Sequence, residues 1–261
     1  MSAWIHPTAI VDPGAVLEDG VTVGPYCIIG PDVTIKRGTK LVAFVQVERL
    51  TAIGGDNTIQ GPCHIGFPPQ DLKYAGEPTR LTIGDRNLIR EYTTFHRGTP
   101  GGGGHTTVGS DNLFMAYAHV AHDCHVGDHC IFANAGTLAG HVEVDDWAAI
   151  GAFSAVHQFC RVGRHAFMGG FTVATQDVLP YVKTAGGRPA RAYGINTLGL
   201  KRKNFPEETI ENLRKLFRIL FQTNTLREDA LRQAEAEVAM DEHTRYFLDF
   251  VKAAKRGVVA R

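Results

Sequence analysis

An aliphatic residue recurs every six positions at Ile5, Val11, Leu17, Val23, Ile29, Ile35, Leu41, Val47, Ile53, Ile59 and Ile65. The phase resumes at Ile83, Ile89 and Phe95. After a one-residue shift it runs from Val108 through Phe114, Val120, Val126, Phe132, Leu138, Val144, Ile150, Val156 and Val162 to Met168. Four residues after each stands a mostly small residue, among them Ala9, Ala15, Val21, Thr39, Ala118, Gly136, Val142, Ala148, Ser154, Ala166 and Thr172. Gly, Pro, Asp and Asn fill the intervening turns, so each hexad reads as one short strand and a corner with two inward positions. A helix would repeat at three and four instead. Three hexads close an 18-residue triangular coil. Stacked coils place equivalent strands about 4.8 Å apart and bury a continuous aliphatic ladder. The period predicts a parallel β-helix and leaves its hand open.

Two segments interrupt the period, residues 66–82 and the Gly101–Gly104 run. Insertions in a solenoid map to corner loops, often on the binding side. The pattern ends after about Pro180, and Gly186-Gly-Arg-Pro-Ala-Arg reads as a connector, giving a β-helix domain over 1–187 and a helical domain over 188–261. From Pro206 the apolar spacing turns helical, with Ile210, Leu213, Leu216, Phe217, Leu220 and Phe221 on one face. Thr225 with Glu228 predicts a capping box for a second helix, and Tyr246, Phe247, Phe250 and Val251 predict a third.

Composition narrows the function classes. With 44% hydrophobic and 21% charged residues the chain is ordinary for a soluble protein. No run approaches the roughly 20 apolar residues of a membrane span. Met-Ser-Ala-Trp-Ile-His-Pro lacks the basic flank and apolar stretch of a leader, so a cytoplasmic protein without stable membrane insertion is expected. The net charge of zero hides an asymmetry: residues 1–187 hold 12 Lys/Arg against 17 Asp/Glu, and residues 188–261 hold 15 against 10. That excess is too small and too mixed for nucleic acid; it suits a small acidic protein, a diphosphate or an ordinary helical surface. Cys27, Cys63, Cys124, Cys130 and Cys160 all occupy the small inward position, so they are core spacers.

Candidate chemistry concentrates where the coil aligns Val120-Ala-His-Asp-Cys-His, Leu138-Ala-Gly-His-Val-Glu and Val156-His-Gln-Phe-Cys-Arg. His122, Gly140 and Gln158 then stack, His141 lies over Asp123, and His119 ends the preceding hexad. Outside the two inward positions, this is expected to be a surface cluster. An imidazole serves as general base near neutral pH, a neighbouring carboxylate fixes its tautomer, and a Gly corner lets a backbone N–H approach an oxyanion. No Ser or Cys pairs as nucleophile. The three imidazoles of His119, His122 and His125 also admit a zinc hydro-lyase site, although the phase of Cys124 points its thiol into the core.

The motifs Gln70-Asp-Leu-Lys-Tyr-Ala-Gly-Glu-Pro-Thr-Arg, His96-Arg-Gly-Thr, His119-Val-Ala-His-Asp-Cys, Leu138-Ala-Gly-His-Val, Ala155-Val-His-Gln-Phe-Cys and Gly199-Leu-Lys-Arg span nearly the whole chain. In these the chain resembles the UDP-N-acetylglucosamine acyltransferases of lipid A synthesis. The resemblance implies a left-handed parallel β-helix with a C-terminal α-helical domain, assembled as a homotrimer; a lone prism with flat walls is expected to lack a cleft. It further implies transfer of a 3-hydroxyacyl chain from acyl carrier protein to the sugar 3-hydroxyl, without a cofactor or metal. His122 would be the general base, Asp123 its orienting group and Gly140 the oxyanion donor. Asp71, Lys73, His119, His141, His157, Gln158, Asn196 and Arg202 would bind substrate, and Lys201, Lys203, Arg214, Lys215 and Arg218 would receive the carrier protein. Gly170 resembles the small residue that leaves room for a chain of about 14 carbons, each buried CH₂ being worth ~0.8 kcal/mol. Leu198 stands where the family often has an acidic residue and Lys203 where it often has arginine. The Leu198 departure keeps a 3-amino sugar nucleotide open as an alternative acceptor.

Overall fold

The computed structural model describes residues 2–223 and 226–260. Each hexad forms a strand of mostly two residues, and strands 18 positions apart pair in parallel, as in Trp4↔Thr22, Ile10↔Ile28 and Val16↔Thr34. Among the described residues the strands make three walls of eleven, nine and eight strands. His119–Val120, Thr137–Leu138 and Ala155–Val156 belong to the nine-stranded wall, and His125–Val126, Glu143–Val144 and Arg161–Val162 to the eight-stranded one. The corner between these two walls carries the histidine column.

The six-residue ladder is the core. Val23, Ile35, Leu41, Ile59, Ile65, Ile89, Phe95, Phe114, Val120, Phe132, Leu138, Val162 and Met168 are inaccessible, and all five cysteines are buried and free. Ile5, Val11 and Leu17 are less covered because they lie in the end coil, with a neighbour on one side only. At each coil a corner residue sits in the left-handed region, including Asp123, His141 and Phe159 at φ of 58°, 60° and 63°. That region costs an L-residue about 1–2 kcal/mol. It is held by hydrogen bonds between successive corners, such as the His141 N–H donating to the His122 carbonyl at 3.0 Å. A chain of inward asparagines is linked in the same repeating way: Asn57 accepts from Asn87, Asn87 from the Asn112 N–H, and Asn112 from the Cys130 N–H, while Asn112 Nδ2 is left without a partner.

The chain departs from expectation after the last coil. Val182–Ala185 continues a wall by pairing with Phe167–Met168, then turns back antiparallel to Arg191–Ile195. The segment read as a connector is therefore the turn of a hairpin, and the expected boundary at 187/188 falls within it. Tyr181, Val182, Ala192 and Ile195 pack with Leu200, Ile210, Leu213 and Phe247 in a second core, so the hairpin joins the solenoid to the helices. Among the described residues four helices follow: α1 (Thr197–Arg202), α2 (Glu207–Phe221), α3 (Arg227–Glu237) and α4 (Glu242–Lys252). The short α1, capped by Asn196, has too little apolar periodicity to be read from sequence. Thr225, expected to cap α3, lies outside the described residues; a capping box is present on α4, between Asp241 and Thr244. Tyr246 of α4 donates to Asp145, and Arg161 bridges Asp177 and the Phe250 carbonyl, fixing the helices on the last coils.

Candidate active site

Asp123, expected at the surface, is buried, with a fully inaccessible side chain. The Gly101–Gly104 insertion covers it. Thr99 caps the short 3₁₀ turn Pro100–Gly102 and sends its N–H to Asp123 Oδ1 at 2.8 Å and its hydroxyl to Oδ2 at 2.6 Å. His122 places Nδ1 2.8 Å from the same Oδ2, and His141 Nδ1 lies 3.8 Å away. The rings of His122 and His141 meet edge to face at 5.1 Å, and His141 stacks on Phe159 at 4.4 Å, one coil further on. Burial lowers the pKa of His141 despite the nearby Asp123 carboxylate, and burial lowers His119 as well. His119 is oriented by Thr94, whose hydroxyl is 2.6 Å from Nδ1.

Gly140 is small for a physical reason. A Cβ there would lie 2.5 Å from His122 Cε1 and 2.7 Å from Nε2, so the imidazole occupies the space that a side chain would fill. The Gly140 N–H has no hydrogen-bond partner among the described residues. The corner thus presents a neutral N–H beside an imidazole edge, with a buried carboxylate behind the ring. This arrangement suits removal of a proton from a hydroxyl and stabilisation of an adjacent oxyanion.

The inserted loops themselves rim clefts on the single chain, contrary to the expectation that a lone prism has none. One cleft of about 350 Å³ brings Asp71, Lys73, Tyr74 and Glu77 of the first loop against Thr99, His141 and Phe159. Arg97 holds that loop, donating to the Gly66 carbonyl at 2.6 Å and to the Tyr74 hydroxyl at 3.2 Å. A second cleft of about 490 Å³ shares His141 and Phe159 with the first and opens between Asp123, His125, Glu143, Arg161 and Lys255–Arg256. His157 and Gln158 lie one coil beyond Ala139 and Gly140, with Gln158 exposed. Gly170, one coil beyond Ala152, is exposed beside the stacked pair Phe153 and Phe171.

Other expected site residues are not brought to this corner. Asn196 uses its side chain to cap α1, accepting from the Gly199 N–H. Arg202 and Lys203 line a separate cleft with Trp147, His165 and His243, where Lys203 sits 3.8 Å over the Trp147 ring. Arg214, Lys215 and Arg218 line a fourth, against Thr197 and Glu211. Lys201 pairs with Glu207, Arg214 with Glu207 and Glu211, and Lys215 with Glu237, so the basic surface of the helices is interlaced with acids. The three-histidine arrangement is not formed in the chain: His119 projects from the nine-stranded wall and His125 from the eight-stranded one. Thr99, Gly98 and Gly102 were missed as functional residues. The available signal was Thr-Pro before a Gly run, the mark of a capped turn, but nothing local said which side chain it would cover.

Comparison with known proteins places the chain by family and fold. Residues 177–259 match the model for the second domain of UDP-N-acetylglucosamine O-acyltransferase, and residues 2–37 and 105–140 match the bacterial transferase hexapeptide model. The acyl-[acyl-carrier-protein]–UDP-N-acetylglucosamine O-acyltransferase of Thermodesulfovibrio yellowstonii is 48% identical over 254 residues, 97% of this chain and 98% of that one. The enzyme of the same name from Stenotrophomonas maltophilia is 45% identical over 252 residues, covering 97% and 96%. Among solved structures, LpxA of Acinetobacter baumannii superposes with a TM-score of 0.94 at 43% identity, covering 98% and 99% of the two chains. The UDP-N-acetylglucosamine acyltransferase of Bacteroides fragilis gives 0.95 at 38% identity with the same coverage. The solenoid is accordingly a left-handed parallel β-helix. With relatives this similar over nearly their whole length, the chain belongs to the acyl-[acyl-carrier-protein]–UDP-N-acetylglucosamine O-acyltransferase family.

Proposed function

We propose that the protein moves a 3-hydroxyacyl chain from acyl carrier protein to the 3-hydroxyl of UDP-N-acetylglucosamine, the reaction that opens lipid A biosynthesis. The observation that carries this reading is the His122 imidazole, tied through Nδ1 to buried Asp123 and packed on the side-chain-free Gly140 corner. With Nδ1 donating to Asp123, the Nε2 lone pair accepts the proton of the sugar hydroxyl as its oxygen attacks the thioester carbonyl. The Gly140 N–H donates to the oxyanion of the tetrahedral intermediate. Collapse breaks the C–S bond, and His122 returns its proton to the departing thiolate of the carrier arm. Asp71 and Lys73 reach the sugar and diphosphate from the loop above, while His119, His141, His157 and Gln158 line the groove. Family membership sets aside the zinc hydro-lyase and the 3-amino acceptor.

The active unit in this reading is a homotrimer in the cytoplasm. On one chain the residues expected to meet nucleotide and carrier protein, Arg202 and Arg214 among them, lie in clefts apart from His122. Apposed prisms would bring those clefts to a neighbour's catalytic corner. Stacked aromatic pairs run along one edge of the prism: Tyr26 on Phe44, Tyr92 on Tyr117 and Phe153 on Phe171. All six are at least half exposed, an apolar strip that association would cover. No helix among the described residues is long and apolar enough to cross a membrane.

The test is transfer of radiolabelled 3-hydroxyacyl chains, one length at a time, from carrier protein to UDP-N-acetylglucosamine. Wild type is expected to transfer a chain of about 14 carbons well, and His122→Ala to lose a factor of about 10² or more. Absence of transfer with every length, or full activity in His122→Ala, rules the mechanism out.

A further inference from the structure

We infer that Thr99 is a positioning residue of the transfer reaction, because it forces His122 into the tautomer that leaves Nε2 free. This rests on the general-base reading of His122. A threonine hydroxyl has one proton to give. The Gly102 N–H donates to Thr99 Oγ1 at 3.2 Å, which turns the hydroxyl proton toward Asp123 Oδ2 at 2.6 Å. The Thr99 N–H meets Oδ1 at 2.8 Å. One residue therefore puts a donor on each oxygen of Asp123, and an ionised carboxylate can only accept. The contact at 2.8 Å between Oδ2 and His122 Nδ1 must then run from Nδ1–H to oxygen, leaving the lone pair on Nε2.

The same residue excludes the competing arrangement. His141 Nδ1 lies 3.8 Å from Oδ2, so a carboxylate free to turn would reach His141 instead and release His122. The turn itself lies against the carboxylate: a Cβ at Gly102 would be 2.0 Å from Asp123 Cγ, and one at Gly98 would be 2.7 Å from Oδ1. Only glycine at both positions lets the backbone pack this closely, with no room for water at the buried oxygens. The run His96-Arg-Gly-Thr thus holds two parts of the site: Arg97 anchors the loop bearing Asp71 and Lys73, and Thr99 anchors the carboxylate behind the base.

The experiment compares steady-state transfer and thermal midpoints of Thr99→Val, Thr99→Ser, Gly102→Ala, Asp123→Ala and the Thr99→Val/Asp123→Ala double variant. Thr99→Val is expected to lower kcat roughly tenfold or more, with KM for UDP-N-acetylglucosamine within about twofold, as fits loss of one hydrogen bond to a charged group. Thr99→Ser restores kcat to within about threefold, and Thr99→Val adds nothing to Asp123→Ala, because both act through one carboxylate. Gly102→Ala, which keeps the hydroxyl but displaces the carboxylate, lowers kcat in the same way. An unchanged kcat in Thr99→Val, a loss confined to KM, a serine variant as poor as valine, or losses that add in the double variant each overturn the inference. Full activity in His122→Ala would instead overturn the base reading beneath it.

Discussion

Gly140→Ala isolates the position of the His122 ring, the proposed base, from everything else at the corner. The new Cβ would stand 2.5 Å from His122 Cε1, whereas ordinary contact begins near 3.4 Å, so the imidazole must move by about 1 Å. The backbone has no reason to object, because Gly140 lies outside the left-handed region, and the Gly140 N–H stays where it was. Displacing a reacting group by about 1 Å costs on the order of 10²-fold in rate, or ~2.7 kcal/mol of transition-state stabilisation. We therefore expect kcat to fall about 100-fold, KM for both substrates to hold within about threefold, and the thermal midpoint to move by only a few degrees. The assay is steady-state acyl transfer paired with a thermal melt on the same preparation. A variant with near-wild-type kcat refutes the argument, since it would mean that the ring does not work from the position it occupies. A variant that loses activity only by melting refutes it as well.

Stability should depend on pH through buried His96 and half-buried His165. Burial, with repulsion from His119 and His122, holds His96 down to about 4, and burial near His243 and Lys203 does the same for His165, against an ordinary 6.5. Between pH 6.5 and 4 the unfolded chain binds protons that the folded one refuses, so stability falls as pH drops through that window and is level above it. Urea midpoints at several pH values test this, with His165→Gln flattening the slope; a midpoint that rises on acidification would refute it. The thiols should be inert: burial pushes Cys124 and Cys130 up to about 12 and Cys160 to about 11. A thiol reagent at pH 8 is expected to label none of the five in the native protein and all five in denaturant. Fast native labelling would contradict their place in the core.

Most of the solenoid is determined by sequence alone, for a local reason. In a parallel coil every hexad meets the equivalent hexad three repeats away, so a period of six aliphatic positions specifies the strand, the corner and the partner together. That is why the cysteines, the ladder from Val23 to Met168 and the stacking of His122 beneath Gly140 were legible before any coordinate. What lies outside the repeat was not. The hairpin from Val182 to Ile195 has no hexad period, and its place is set by packing on Leu200, Ile210 and Phe247 from the helices. The burial of Asp123 was decided by a loop that begins 24 residues earlier. Sequence places the carboxylate beside the histidine; only the folded Thr99–Gly104 turn, laid across it, decides that the carboxylate is dry, doubly hydrogen-bonded and committed to one face of His122. The separation of Arg202 and Arg214 from that corner likewise follows from where the helices dock, a contact between distant segments that no local pattern records.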